Sequence, residues 1–91
     1  LTFQSARPTT AEEINKAVAA AANGPLKGIL GVNDKPLVSM DFNHDPRSSI
    51  FDLKGTTVVD GTFCRVVAWY DNEWGFSNRM SDTAVAMGRL I

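Results

Sequence analysis

The stretch Trp69–Arg79, which reads WYDNEWGFSNR, places several polar side chains between a predicted strand and a predicted helix. Asn72 is the most informative of them, because a carboxamide donates and accepts hydrogen bonds at once and so complements a second carboxamide such as that of nicotinamide. Crevices beyond the carboxyl ends of strands are where α/β sheets bind small molecules. The position predicts a ligand contact. Asparagine is also a common helix N-cap, and the residue types alone leave both roles open.

Two elements must position these side chains. Phe63–Trp69 is apolar on nearly both faces, which predicts a central strand with material above and below it. A long C-terminal helix is predicted to begin near Asn72 or Glu73, and Asp71 with Glu73 would serve its N-terminus. Its apolar stripe recurs at helical spacing and consists of Phe76, Met80, Ala84, Met87 and Ile91.

The rest of the chain predicts short strands and one further helix. Leu1–Arg7 alternates as a strand does, and Thr10 with Glu13 has the pattern of a capping box before a helix that runs to about Ala22. Further strands are predicted at 26–32, 37–42, 48–52 and 56–59, and Asp60-Gly61 is a hairpin signal. The linking turns are too short for helical crossovers, so most pairings should be antiparallel. The predicted class is α+β: a mostly antiparallel sheet with one helix packed on it and a long C-terminal helix.

Composition excludes several classes of protein. A hydrophobic fraction of 44% suits a globular chain, and a net charge of -1 leaves no basic surface for nucleic acid. No apolar run approaches the roughly 20 residues of a membrane span. The single cysteine, Cys64, cannot form an intrachain disulfide, which favours a reducing compartment. The chain opens in mid-strand at Leu1 without an initiator methionine, so we expect a segment upstream of it.

Three stretches carry a resemblance to a known family. PLKGILG, PLVSMDFNHDPRSSIFD and WYDNEWGFSNR, followed by the terminal helix, resemble the C-terminal portion of the phosphorylating glyceraldehyde-3-phosphate dehydrogenases over essentially the whole chain. The resemblance implies an NAD-dependent oxidation of an aldehyde phosphate with inorganic phosphate, through a cysteine thioester, in a cytoplasmic homotetramer of glucose metabolism. It also implies that an N-terminal NAD-binding portion is missing. Residues 1–71 would belong to the catalytic domain, and residues 72–91 would form a helix that packs towards the NAD-binding domain.

The resemblance assigns cofactor contacts to two residues. Asn72 matches the asparagine that binds the nicotinamide carboxamide and fixes which ring face meets the substrate. Phe76 matches a position that is often tyrosine, whose ring lies beside the nicotinamide; phenylalanine keeps the ring without the hydroxyl, and a purely core role at helix spacing remains open. Tyr70 is expected to anchor the strand end, and Trp74 to serve packing.

No residue of this chain is expected to be catalytic or to bind a metal. Cys64 lies in mid-strand, far from any helix N-terminus that would favour a thiolate, and the family's nucleophile stands in a Ser-Cys-Thr-Thr-Asn-Cys motif that this sequence lacks. His44 with Asp41 and Asp45 is a poor metal signature and indicates a turn before Pro46.

The chain also lacks a G-x-G-x-x-G loop for a pyrophosphate, and the family's phosphate-binding arginine lies in a motif upstream of this segment, so neither Arg7 nor Arg47 inherits that role. We expect the 91 residues alone to be inactive. Two alternatives stay open at this point: erythrose-4-phosphate dehydrogenase, a close relative that carries nearly the same last segment, and a non-catalytic sheet-and-helix module that binds a partner.

Overall fold

The computed structural model describes residues 1–91 as one mixed sheet of four strands with two helices. The elements in chain order are β1 (Thr2–Gln4), α1 (Ala11–Asn23), β2 (Leu30–Asn33), a short 3₁₀ helix (Ser39–Phe42), β3 (Ser49–Val59), β4 (Phe63–Trp69) and α2 (Trp74–Gly88). The strand order across the sheet is β1-β4-β3-β2. The pairings β1/β4 and β3/β4 are antiparallel, whereas β2/β3 is parallel. The predicted α+β class and the mainly antiparallel pairing are confirmed.

Strand β4 has the predicted bounds and lies inside the sheet between β1 and β3. It is joined to β3 by the predicted hairpin turn, in which Asp60 and Gly61 adopt φ values of 54° and 76°. Such positive φ angles match the right-handed twist of the flanking strands. Cys64 is fully buried, but Phe63 is half exposed. The prediction of material on both faces is therefore wrong at this end of β4, where only one face is covered.

Strand β3 runs without interruption across the predicted break at Lys54-Gly55. The break is instead a β-bulge, since the pairing register with β4 shifts between Asp52 and Thr57. The Asp52 carboxylate accepts hydrogen bonds from the backbone N–H groups of Lys54 at 3.1 Å and Gly55 at 3.3 Å, which satisfies donors that the ladder leaves free. The two predicted strands at 48–52 and 56–59 are thus one bent strand.

The predicted strand at 37–42 is wrong. Asp41 accepts a hydrogen bond from the Val38 N–H at 2.7 Å, and this local bond closes the 3₁₀ helix Ser39–Phe42. The turn buries Phe42, whose ring stacks on that of Trp69 at 5.7 Å between centroids. Residues 34–48 consequently form a crossover instead of a chain of hairpins, and a crossover is what allows β2 and β3 to be parallel.

Helix α1 packs on β2 and β3. The predicted cap is half formed: Thr10 Oγ1 accepts from the Glu13 N–H at 3.1 Å, while the Glu13 carboxylate accepts from the Thr9 hydroxyl at 3.0 Å instead of reaching the Thr10 N–H. Asn15 secures the helix to the bulge of β3, donating to the Leu53 carbonyl at 3.0 Å and accepting from the Thr56 hydroxyl at 2.6 Å.

Helix α2 is held to the rest of the molecule by its first two turns. Gly75 is buried against Arg47 and Ser48, and Arg79 Nη1 donates to Ser48 Oγ at 3.3 Å. Beyond these contacts the predicted apolar stripe is exposed, with Met80 58% and Met87 64% accessible. Neither helix combines the length and apolarity that crossing a membrane would require.

Candidate functional site

Asp71 forms the corner between β4 and α2. One carboxylate oxygen accepts hydrogen bonds from the backbone N–H groups of Trp74 at 2.8 Å and Glu73 at 3.3 Å, and the other accepts from the His44 N–H at 2.7 Å. The bond from His44, followed by that from Trp74, holds the pKa of the Asp71 carboxyl below its usual range. The prediction that Asp71 serves the helix N-terminus is confirmed.

The turn that carries His44 is stiffened by an ion pair. His44 has a left-handed φ of 65°, and the Asp45 carboxylate accepts from Arg47 Nε at 2.9 Å and Nη2 at 2.7 Å. This paired geometry lowers the pKa of Asp45 and raises that of Arg47. The guanidinium lies over Gly31, and the Arg47 carbonyl oxygen would be 2.6 Å from a Cβ at Gly75. The turn is therefore held by its own ion pair and packs against the start of α2.

Asn72 lies at the tip of the corner with its side chain exposed. Glu73 is the N-cap residue of α2, but its own side chain makes no capping bond. The N–H groups of Glu73 and Trp74 donate to Asp71 instead, and the Asn72 carboxamide makes no hydrogen bond within the protein. Of the two roles that the residue type allowed, capping is therefore carried by the neighbouring residue. The Asn72 amide keeps its donors and acceptor available for a ligand, and its cofactor contact remains a prediction.

Two recesses flank this tip. The first, which we call the helix-side recess, has a volume of about 260 Å³ and brings both predicted cofactor residues together; it is lined by Ser48, Tyr70, Asp71, Asn72, Phe76 and Arg79. The second lies on the other side, has about 250 Å³, and is lined by Ser39, Met40, Asn43, Tyr70, Asp71 and Asn72. Each falls below the roughly 300–1,000 Å³ of a complete ligand pocket. Each can therefore contact only part of a ligand as large as a dinucleotide.

Phe76 is 63% exposed, one helical turn beyond Asn72. A core role for its ring is therefore wrong within these 91 residues. The ring forms an apolar wall of the helix-side recess beside the polar tip. An aromatic face next to a free carboxamide can hold a planar ring that itself carries a carboxamide.

The sequence predicted structural roles for Tyr70, Trp74 and Cys64. Tyr70 is 66% exposed and lines both recesses, so it does not anchor the strand end by burial. Trp74 packs partly against the His44 ring, at 5.7 Å between centroids, and stays 45% exposed. Cys64 is fully buried, with Sγ 3.6 Å from the Thr62 carbonyl oxygen, and is therefore closed to a substrate. No three histidine, cysteine or carboxylate side chains stand together as a metal site would require.

Arg79 and Ser48 line the helix-side recess, but no role was predicted for either of them from the sequence. Arg79 lies in the same recess as Asn72 and Phe76, pairs with Asp82 at 2.9 Å and reaches Ser48 across the corner. Its spacing of three from Phe76 places it on an adjacent part of the helix surface, which is a signal that could have found it. Ser48 belongs to the crossover, and nothing in its local sequence indicates this contact.

Comparison with known proteins shows the family to which this chain is related. The model of the family described as "Glyceraldehyde 3-phosphate dehydrogenase, C-terminal domain" matches residues 1–72. The glyceraldehyde-3-phosphate dehydrogenase of Cereibacter sphaeroides is 63% identical over 91 residues, which is 100% of this chain and 27% of that protein. The enzyme of the same name from Xanthobacter flavus is 64% identical over 90 residues, or 99% of this chain and 27% of that protein.

A third relative, from Zymomonas mobilis, is 57% identical over 91 residues, again 27% of its own length. The chain thus spans about a quarter of the length of the curated relatives it matches. The chain belongs to the glyceraldehyde-3-phosphate dehydrogenase family, and most of it corresponds to that family's C-terminal domain.

Proposed function

We propose that the full-length protein carrying these residues is an NAD-dependent, phosphorylating glyceraldehyde-3-phosphate dehydrogenase, and that Asn72 holds the nicotinamide carboxamide in it. Family membership supports the activity. The observation that carries the role of Asn72 is its unengaged carboxamide at the rim of the helix-side recess, with capping left to Asp71. When bound, NAD would supply the acceptor for the substrate's hydride.

The part played by this chain would be to hold and orient the nicotinamide end of the cofactor. Asn72 can accept from and donate to the ring's carboxamide, a paired contact that fixes which face of the ring points towards the substrate. Phe76 offers an aromatic wall on one side of the same recess. The nucleophile, the base and the pyrophosphate loop would come from other parts of the full-length chain.

The division of the chain follows from the same proposal. Residues 1–71 would form part of the catalytic domain, and residues 72–91 would lie against the NAD-binding domain. The exposed apolar stripe of α2 supports this, because large apolar surfaces of this kind mark interaction sites. Sheet residues that stay half exposed, such as Val59 and Phe63, would meet subunits of a homotetramer. A cytoplasmic location fits a cysteine that is buried and unpaired.

The role of Asn72 is tested by Asn72→Ala in the full-length protein. Losing two hydrogen bonds of ordinary strength should cost about 1–2 kcal/mol, or about 5- to 30-fold in the Kd for NAD. Calorimetric titration with NAD measures this directly, and turnover of glyceraldehyde 3-phosphate should fall with it. A parallel assay with erythrose 4-phosphate identifies the preferred substrate.

The matched control is Asn78→Ala on the same helix. The Asn78 amide bonds only to the Trp74 carbonyl, at 2.8 Å, and lies outside the lining of either recess. This variant should bind NAD as the parent does. If Asn72→Ala also binds NAD normally while remaining folded, the proposed cofactor contact is wrong.

A further inference from the structure

We propose that Asp71 is a positioning residue for the cofactor site: its carboxylate ties the turn at 43–46 to the first turn of α2 and thereby fixes the place of Asn72. This inference rests on the proposed function of Asn72. Asp71 lines the same recess, but both of its carboxylate oxygens already accept backbone N–H groups and would form no hydrogen bond to the nicotinamide. It would act entirely through the residue that follows it.

Both carboxylate oxygens of Asp71 accept hydrogen bonds. One oxygen is occupied by N–H groups of the helix start, from Trp74 and Glu73, and the other by the N–H of His44, which is 27 residues away in sequence. Asn72 lies inside the loop that these bonds close. The residues on both sides of Asn72 are therefore held by these bonds, Asp71 through His44 and Glu73 through Asp71.

Both segments that Asp71 joins are held by further contacts of their own. The bidentate contact between Asp45 and Arg47 holds the turn, and the close approach of the Arg47 carbonyl to Gly75 sets how near α2 can come. His44 adopts a left-handed φ of 65° in this turn, and its N–H donates to Asp71 at 2.7 Å. The Asp71 carboxylate thus bridges two segments that are each held by other contacts. Supporting contacts of this kind keep a binding group close to the geometry that ligand recognition needs.

The bonding pattern at residue 71 requires a carboxylate. Three N–H donors converge on this side chain from two directions, so acceptors must face both ways. Asparagine has the same shape but only one acceptor oxygen, and its NH₂ group would face an N–H donor on one side. The negative charge also lies at the positive end of the α2 dipole. Asp71→Asn therefore removes the acceptor on one side of this bridge with little change in side-chain volume.

The experiment compares two ligands of the full-length protein: NAD, and ADP-ribose, which lacks the nicotinamide. Asp71→Asn should raise the Kd for NAD about 3- to 10-fold and leave the Kd for ADP-ribose unchanged, since only the nicotinamide end depends on Asn72. Equal weakening of both ligands would overturn the proposal, because it would show a general structural role. Unchanged binding of NAD by a folded Asp71→Asn protein would overturn it as well.

A double variant shows whether Asp71 acts through Asn72. If it does, adding Asp71→Asn to Asn72→Ala should cause no further loss of NAD affinity, whereas independent roles would make the two losses add. Selective loss in Asn72→Ala but not in Asp71→Asn would refute the positioning role and keep the proposed function. Selective loss in neither would refute the proposed function.

Two further variants distinguish the positioning role of Asp71 from a general folding defect. Asp71→Ser keeps a hydroxyl that can cap α2 but is too short to bridge to His44, so it should show the same selective loss of NAD affinity. Thr10→Ala removes the cap bond of α1 at a residue that lines neither recess, and should bind both ligands normally. Normal NAD binding by Asp71→Ser would show that the link to His44 does not position Asn72.

Discussion

At the scale of single residues, Asn72 and Cys64 show how surroundings decide the role of a side chain. The Asn72 carboxamide is exposed and makes no internal hydrogen bond, whereas the Cys64 thiol is fully buried near the start of β4. A buried thiol cannot meet a substrate, and it packs as a small apolar group. We therefore regard Cys64 as part of the core.

Cys64→Ser tests this assignment in the full-length protein. Exchanging the thiol for a hydroxyl places a polar group in the core and should lower the free energy of unfolding by about 1–3 kcal/mol, less if the hydroxyl bonds to the Thr62 carbonyl. The specific activity of the folded protein should stay close to that of the parent. Cys64→Ala, which removes the group entirely, should behave in the same way. A well-folded Cys64→Ser protein without activity would contradict the structural role.

The ion pair of Asp45 and Arg47 should make stability depend on acid pH. Because the folded state lowers the pKa of Asp45, the contribution of the pair is present above the unfolded pKa of about 3.9 and is lost as pH falls through the folded value. Asp45→Asn should cost about 0.5–1 kcal/mol at neutral pH, an estimate discounted for solvent screening of the partly exposed guanidinium. Urea unfolding from pH 7 to pH 3 should show this gap closing below about pH 4.

Asp34→Asn is the control for this comparison. Asp34 is exposed and its carboxylate has no hydrogen-bond or ion-pair partner, so its replacement should leave the free energy of unfolding close to that of the parent. A gap for Asp45→Asn that persists unchanged at pH 3 would mean that the ionised carboxylate is not what stabilises the turn.

The residue types predicted that Asp71 would serve the helix start, but for Asn72 they left both a cap and a ligand contact open. Asp71 and Asn72 are both good N-cap types. Asp71 is bonded at this corner because the N–H of His44, in a turn distant in sequence, donates to its carboxylate. No local pattern contains that information, because it depends on where the crossover places residue 44.

At the scale of elements, strong periodicity predicted well and short apolar runs did not. Strand β4 has the expected bounds, because its apolar alternation is long and ends at clear turn residues. The run at 37–42 alternates too, yet the Asp41 side chain closes a local turn that removes it from the sheet. The same local effect by Asp52 converts a predicted break of β3 into a bulge.

The contact between α2 and the crossover depends on Gly75. A Cβ at this position would lie 2.6 Å from the Arg47 carbonyl oxygen and 3.2 Å from Ser48 Cα, and both are backbone atoms that cannot move aside cheaply. Gly75→Ala should therefore shift the start of α2 and lower the free energy of unfolding of the full-length protein by about 1–3 kcal/mol. Chemical denaturation measures the loss.

Gly88→Ala provides the comparison, since no atom lies within 4 Å of the Cβ it would add. Alanine is the better helix former at such an open position, so stability should be unchanged or rise by up to about 1 kcal/mol. Equal behaviour of the two variants would show that the Gly75 contact does not constrain the helix.

At the scale of the whole molecule, the apolar surface of the sheet and of α2 exceeds what this chain covers. Only 9 of its 91 residues are buried, so most of its large apolar side chains retain solvent contact. Among them are Phe76, Met80 and Met87, which border a shallow groove of about 310 Å³ along α2. The sequence predicted this stripe from its helical spacing. Only the structure shows that it faces away from the sheet, because it depends on how the first turn is seated on the crossover.

The proposal that the NAD-binding domain covers this groove leads to a prediction for Met80. In the full-length protein, Met80→Lys would bury a charge or force the helix away, and should lower the free energy of unfolding by about 2–4 kcal/mol. Ser81→Lys, one residue further along the same exposed helix and outside the groove lining, should change it by less than about 0.5 kcal/mol. Hydrogen exchange should likewise show the amides of α2 protected in the parent and released in Met80→Lys. Equal tolerance of lysine at both positions would mean that the groove stays open to solvent, and the placement of α2 against a second domain would then be wrong.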